Sequence, residues 1–106
     1  DGFRKAVEGG VRIAFGTDAG VSPHGGNAKQ FAFEVKYGLS PVQAVQSATV
    51  NASELLGWSD RVGSLEPGKL ADLIAVEGNP LSDVTTLEHV KFVMKGGEIF
   101  KNEIAK

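Results

Sequence analysis

The chain contains no cysteine, and this absence excludes several kinds of site at once. Without thiols there can be no disulfide, no thiolate metal ligand and no cysteine nucleophile. Histidine is scarce as well: the 106 residues hold two, and neither stands in a His-x-His or His-Glu-x-x-His pair. A complete histidine-based metal site therefore cannot be assembled from any one short motif of this chain.

The chain also has no large excess of positive or negative charge and no long apolar run. The net charge is −2, with lysine and arginine scattered among aspartate and glutamate, so there is no basic patch for nucleic acid. No run approaches the roughly 18 consecutive apolar residues that span a bilayer, and the first residues show no signal-peptide pattern. We therefore expect a cytoplasmic protein with neither a nucleic-acid nor a membrane partner.

Two common catalytic motifs are missing too. No serine lies in a Gly-x-Ser-x-Gly elbow, and the glycine-rich loop of residues 16–26 lacks the Gly-Lys-Ser/Thr ending of a phosphate-binding loop. What remains is an ordinary globular composition, 42% hydrophobic and 23% charged. At 106 residues the chain is far shorter than the ~250 residues of a complete α/β barrel.

The first half of the chain predicts the helix–strand order of a parallel α/β unit. A helix over 2–8, capped by Asp1 and stopped by Gly9 and Gly10, leads into an apolar strand over 11–15. After the loop, a helix capped by Asn27 runs to about residue 36. A longer helix then begins at Ser40, with Pro41 at its first position, and runs to residue 56.

The second half changes to short strands separated by turns, with the boundary near 57–62. We predict a tight turn over 66–69, a strand over 71–76, a helical turn over 86–88 and a β-hairpin from residue 90 to residue 100. The chain therefore divides into residues 1–60, of α/β type, and residues 61–106, which are mainly β.

Asp18 is the candidate catalytic residue, because it directly follows the predicted buried strand and its Gly-Thr step. Such strand ends are where α/β barrels hold their reactive groups. A carboxylate there can bind a cation, accept a proton from water or orient a histidine, and it can also simply form an Asx turn with the glycine that follows. His24, in the same loop, is either a substrate contact or a solvated histidine. His89 is predicted to be a surface residue at the start of a strand.

Three segments together resemble a known family. They are Gly16-Thr17-Asp18-Ala19-Gly20, the stretch from Ser40-Pro41 to Asn51-Ala52, and the stretch from Gly63 to Ile74. They resemble the C-terminal third of the amidohydrolase superfamily, over nearly the whole chain. The Pro-His-Gly-x-Asn continuation that contains His24 is most similar to imidazolonepropionase-related enzymes, including Xaa-Pro dipeptidases of that group.

This resemblance implies an α/β fold that is incomplete as it stands. Residues 1–60 would be the last β/α unit of a metal-dependent (β/α)₈ barrel, and residues 61–106 would be C-terminal strands of a small β-sandwich. In the family, the aspartate matching Asp18 contacts a divalent metal, usually zinc, and moves a proton from the metal-bound water to the leaving amine. By the same resemblance, His24 would contact an amide or dipeptide substrate.

The family's other metal ligands have no counterpart in these residues. We therefore expect the chain to be the C-terminal portion of a hydrolase of C–N bonds in amides, dipeptides or cyclic amides, inactive alone and binding no metal tightly. Unpaired strand edges and apolar faces predict a homo-oligomer or association with the missing part of the barrel. The alternative is a non-catalytic α/β binding or scaffold module that self-associates.

Overall fold

The computed structural model describes residues 2–16 and 26–104. It contains four short α-helices, one 3₁₀ helix and three β-strands within these ranges. In chain order they are α1 (Gly2–Glu8), α2 (Lys29–Lys36), α3 (Pro41–Ala48), α4 (Val50–Leu56), β1 (Leu73–Val76), the 3₁₀ helix (Val84–Glu88), β2 (Val90–Lys95) and β3 (Glu98–Asn102). None of the helices in the described ranges is long and apolar enough to cross a membrane.

The predicted strand over 11–15 is wrong for the described structure, which gives residues 11–16 neither helix nor strand pairing. A parallel strand is stabilised by neighbours in the same sheet, and the three strands of the described sheet all come from the second half of the chain. The segment is held by helices instead. Phe15 N–H donates to the carbonyl of Ser47, in the last turn of α3, at 2.8 Å.

The helix α3 begins as its sequence predicts. The Ser40 hydroxyl accepts from the N–H of Gln43, the Gln43 side chain accepts from the N–H of Ser40, and Pro41 occupies the first turn. This reciprocal arrangement is a capping box, which satisfies two N–H groups that a helix start leaves unpaired. The N-cap of α2 is Ala28, one residue after the predicted Asn27, and Ala28 makes no side-chain capping bond.

The long helix predicted from residue 40 to residue 56 is two helices. The break is at Thr49, with φ −120° and ψ −91°, and its N–H donates to Gln46 in a tightened turn. The Ser47 carbonyl next to this break accepts from Phe15 N–H. This contact joins residues far apart in the sequence, so the spacing of apolar residues could not predict it. The left-handed Gly57, at φ 75°, ends α4 as predicted.

The second half forms a three-stranded antiparallel sheet in the order β1-β2-β3. The predicted strand, helical turn and hairpin are all present, although β1 starts at Leu73 and the 3₁₀ helix at Val84. In the predicted turn, Lys69 N–H donates to Glu66 O, and Gly68 has φ +91°, a conformation that favours glycine.

Asp72 ties the hairpin turn to the start of β1. Its carboxylate accepts from the Gly96 N–H at 2.7 Å, and Gly97 N–H donates to the neighbouring Ala71 carbonyl at 3.1 Å. Asp72 therefore has a structural role.

The small core lies between the helices: Leu39 and Ala44 are buried near α3, while Val84 and Leu87 of the 3₁₀ helix are buried where it packs on α2.

Candidate active site

The two residues predicted to act on substrate, Asp18 and His24, lie outside the described residues. What the structure describes is the chain on either side of them. Residues 11–16 lead towards Asp18, and residues 26–36 lead away from His24 into α2. The residues that hold these two segments in place form the part of the site that the structure describes.

The approach to Asp18 is fixed by backbone contacts from α3 and α4. The Asn51 amide on α4 donates to the Ile13 carbonyl at 3.0 Å, and Phe15 N–H donates to Ser47 at 2.8 Å. Two groups of the same segment, two residues apart, are thus bound from the same pair of consecutive helices. This arrangement supplies hydrogen bonds that a strand would otherwise exchange with neighbouring strands.

Arg12 extends the same attachment on the surface. Its guanidinium donates to Glu54 at 2.6 Å and to the Asn51 side-chain oxygen at 2.8 Å. The hydrogen bond and charge of Arg12 lower the pKa of Glu54, and Glu54 in turn raises the pKa of Arg12. Because both groups are exposed, solvent screens this pair, and it orients the segment more than it stabilises the fold.

The ring of Phe15 links the approach to Asp18 with the helix that follows the loop. It stacks on Phe31 of α2, with centroids 4.5 Å apart and an interplanar angle of 29°. Offset aromatic pairs of this kind contribute about 0.5–1.5 kcal/mol beyond their buried area. The two ends of the undescribed loop are therefore joined by a direct ring contact.

Glu34 and Ser47 form a buried polar pair between α2 and α3 that was not predicted from the sequence. Glu34 of α2 is 4% exposed, Ser47 of α3 is fully buried, and the Ser47 hydroxyl lies 2.9 Å from a Glu34 carboxyl oxygen. Burial raises the pKa of Glu34, and the hydrogen bond from Ser47 opposes that rise. The signal was available, since Glu34 comes one turn after Phe31 on the face predicted to be apolar.

No group of three or more histidine, aspartate or glutamate side chains that could hold a metal occurs within residues 2–16 and 26–104. The described residues thus do not fit a metal site by themselves. His89 is exposed and directly precedes β2, as predicted, and its N–H donates to Thr86.

The amidohydrolase family profile matches residues 1–100. The chain belongs to this family. The match covers the loop of Asp18 and His24, the capped helix α3, the strands β1 and β2, and the start of β3. The resemblance stated from the sequence is therefore confirmed, and the described part of this amidohydrolase chain is a small α/β piece with a three-stranded sheet.

Relatives and solved structures agree with the family. The chain is 38% identical over 104 residues to the ochratoxinase of Aspergillus niger, covering 93% of this chain and 21% of that protein. It is 32% identical over 106 residues to the imidazolonepropionase of Geobacillus kaustophilus, covering 94% and 25%. The structure of a Xaa-Pro dipeptidase with methionine bound in its active site matches with 53% identity and a TM-score of 0.94, over 96% and 25%. The chain thus spans about a fifth to a quarter of the length of these proteins.

Proposed function

We propose that this amidohydrolase chain is the C-terminal portion of a metal-dependent hydrolase that cleaves C–N bonds in amides, dipeptides or cyclic amides. The similarity to a Xaa-Pro dipeptidase structure, at 53% identity and a TM-score of 0.94, is the observation that carries this proposal. The similarities to an ochratoxinase and an imidazolonepropionase support the same broad class of reaction. Dipeptides ending in proline are the substrates that we favour.

The chain would contribute to two structural units of this enzyme. We place residues 1–60 in the last β/α unit of a (β/α)₈ barrel and residues 61–106 in the strands of a small β-sandwich. The match of the amidohydrolase family profile, which includes residues 1–60, supports the first assignment. The antiparallel order β1-β2-β3 supports the second.

Within that barrel, Asp18 would act as a general base and then as a general acid. Its carboxylate would accept the proton of the attacking water and return it to the leaving amine, a role that requires a pKa near the working pH. A divalent cation, which we propose to be zinc, would make water acidic enough to attack near neutral pH. Because the described residues contain no ligand cluster, that cation would need residues of the longer protein beside Asp18. His24 would contact the substrate.

The chain alone would be inactive and would associate with the rest of the barrel or with copies of itself. Large apolar side chains on α4 and in the second half support this, including Leu55 at 76% exposure, Leu65 at 74% and Phe100 at 63%. A groove of about 480 Å³ between α3, α4 and β1 adds further apolar surface, lined among others by Leu56 and Val62. Apolar areas of this kind mark surfaces that another polypeptide covers.

A chimera tests the proposal. Residues 1–106 replace the matching segment of the similar Xaa-Pro dipeptidase, and release of proline from a Xaa-Pro dipeptide is measured. We expect the metal-loaded chimera to turn over and the 106-residue chain alone to show no activity.

Two substitutions in the chimera separate the roles of the loop residues. Asp18→Asn should lower kcat by at least about 100-fold with the fold and metal content retained, the scale expected for loss of a general acid–base group. His24→Gln should mainly raise KM, and Glu98→Gln, on the exposed strand β3, serves as the control. Full turnover by the Asp18→Asn chimera would show that Asp18 only shapes its loop.

A further inference from the structure

The buried pair of Glu34 and Ser47 is not used by the proposed reaction. Glu34 is 4% exposed, and Ser47 has no exposed surface at all. Burying a carboxyl group costs free energy unless a hydrogen bond compensates, and the Ser47 hydroxyl, 2.9 Å away, is the partner that the structure provides. The pair also joins two different helices, α2 and α3, across a sequence separation of 13 residues.

The Ser47 hydroxyl has one proton and two oxygen neighbours. It lies 2.6 Å from the Ala44 carbonyl, one turn earlier in α3, and 2.9 Å from the Glu34 carboxyl. The hydroxyl donates to both oxygens, so its one proton is shared between the Ala44 carbonyl and the Glu34 carboxyl. Burial raises the pKa of Glu34, and the hydrogen bond from Ser47 opposes that rise.

The same serine holds the segment that leads to Asp18. Its backbone carbonyl accepts from Phe15 N–H at 2.8 Å, three residues before Asp18. The Phe15 ring stacks on Phe31, which lies one turn before Glu34 on α2. Phe15 is therefore bound through its amide by α3 and through its ring by α2, and the Glu34–Ser47 hydrogen bond fixes these two helices to each other.

We propose that Glu34 is a positioning residue: it accepts from the Ser47 hydroxyl, and this hydrogen bond fixes α3 against α2 and sets the backbone of Phe15 ahead of Asp18. The consequence for catalysis rests on the proposed function of Asp18. The effect on Phe15 itself does not, so the two parts can fail separately.

Amide hydrogen exchange in the 106-residue chain tests the structural part. Glu34→Gln keeps an acceptor oxygen at this position, Glu34→Met keeps the size without that oxygen, and Glu98→Gln on exposed β3 is the control. We expect Glu34→Met to speed exchange of the Phe15 amide about tenfold, the size of one lost buried hydrogen bond. The Gly97 amide, bound to Ala71 in the sheet, should change less than twofold and shows that each variant still folds.

Three results would overturn the structural part. They are a wild-type Phe15 amide that exchanges at the rate of an unfolded chain, a Glu34→Met variant with unchanged Phe15 exchange, and a Glu34→Gln variant that exchanges as fast as Glu34→Met. If Glu34→Met does not fold, Ser47→Ala replaces it, because it removes the hydroxyl from the same contact and should speed Phe15 exchange similarly.

The chimera described above tests the catalytic part. Glu34→Met should lower kcat about tenfold with KM within about twofold, and Glu34→Gln should restore kcat, a pattern that general loss of stability does not produce. If Asp18→Asn abolishes turnover while Glu34→Met leaves kcat unchanged, the positioning role is wrong and the proposed function stands. If the chimera is inactive while Phe15 exchange behaves as expected, the proposed function is wrong and the structural part stands.

Discussion

The helices of residues 2–56 and the sheet of residues 71–104 are held together by different kinds of hydrogen bond. In the helical region, side chains such as Asn51 and Arg12 reach across some 40 residues of sequence to fix one unpaired segment. In the sheet, backbone ladders join β1 to β2 and β2 to β3, with the turn fixed by Asp72. The region proposed to carry Asp18 thus depends on particular side chains far more than the sheet does.

This difference has a physical consequence for substitution. A backbone ladder forms with almost any side chains that tolerate a strand, whereas a contact such as Asn51 to Ile13 disappears with one side chain. The helical region should therefore respond more strongly to single polar substitutions.

Gly63, which follows α4 on the way to the sheet, should tolerate no side chain. Its φ is +103°, and an added Cβ would lie 2.4 Å from the Ser53 hydroxyl and 3.1 Å from the Thr49 carbonyl. Left-handed strain and overpacking together predict that Gly63→Ala lowers the free energy of unfolding by about 3 kcal/mol. Urea denaturation measures it.

Gly57 is the matched control for this substitution. It also has a positive φ, +75°, but an added Cβ would meet nothing within 4 Å. Gly57→Ala should therefore cost only the conformational strain, about 1 kcal/mol. Equal losses at the two glycines would show that the close packing of residue 63 on α4 is absent in solution.

The contrast between the regions is tested by the same change at two asparagines. Asn51→Ala removes the donor to Ile13 and the acceptor for Arg12, so the free energy of unfolding should fall by about 1.5 kcal/mol. Asn102→Ala removes only an exposed contact with the Ile104 N–H at 3.3 Å and should cost less than about 0.5 kcal/mol. Thermal unfolding of both variants under one set of conditions decides it, and a larger loss at Asn102 would reverse the contrast.

The same contrast explains which parts of the fold the sequence could predict. Caps and turns depend on neighbouring residues: the Ser40–Pro41 helix start and the Pro67-Gly68 turn are found as predicted, and the N-cap of α2 differs by one residue, at Ala28 instead of Asn27. The larger failures involve distant contacts. The helix break at Thr49 accompanies the bond from Phe15 to Ser47, and the predicted strand over 11–15 would need neighbouring strands to be assigned as one.

At the site, the sequence predicts the loop of Asp18 and His24 but not the contacts that hold the segments on either side of it. Asp18 and His24 were selected because they follow an apolar segment, and their roles stay predictions. Glu34 is missed because the inward face of α2 is predicted from its apolar residues alone, although a charged residue on such a face needs a buried partner. Ser47 was its partner, and no spacing rule connects the two, since they lie on different helices.

Stability should depend on pH through Glu34. Its folded pKa is raised above the ordinary carboxyl value, so the native state binds more protons than the unfolded state between the two values. The contribution of Glu34 is fully present below the ordinary value and is lost as the pH rises through the raised one. Unfolding measured from pH 4 upward should show this decline, and Glu34→Gln should flatten it. An unchanged slope in that variant would assign the decline to another group.

The exposed ion pair of the same region should give the smallest effect, with the opposite sign. Arg12 lowers the pKa of Glu54, so the contribution of Glu54 is present above the ordinary carboxyl value and is lost as the pH falls through the lowered one. Glu54→Gln should therefore reduce stability slightly at pH 7 and not at the acidic end, and added salt should shrink the difference because both groups are solvent-exposed. Glu103→Gln, in the exposed pair with Lys101 next to β3, is the matched control in the sheet region. Since Arg12 belongs to the segment that leads to Asp18, Glu54→Gln should speed amide exchange at Phe15, whereas Glu103→Gln should leave this amide unchanged. Equal exchange in the two variants would mean that the surface pair adds nothing to the hold of Asn51 and Ser47 on this segment.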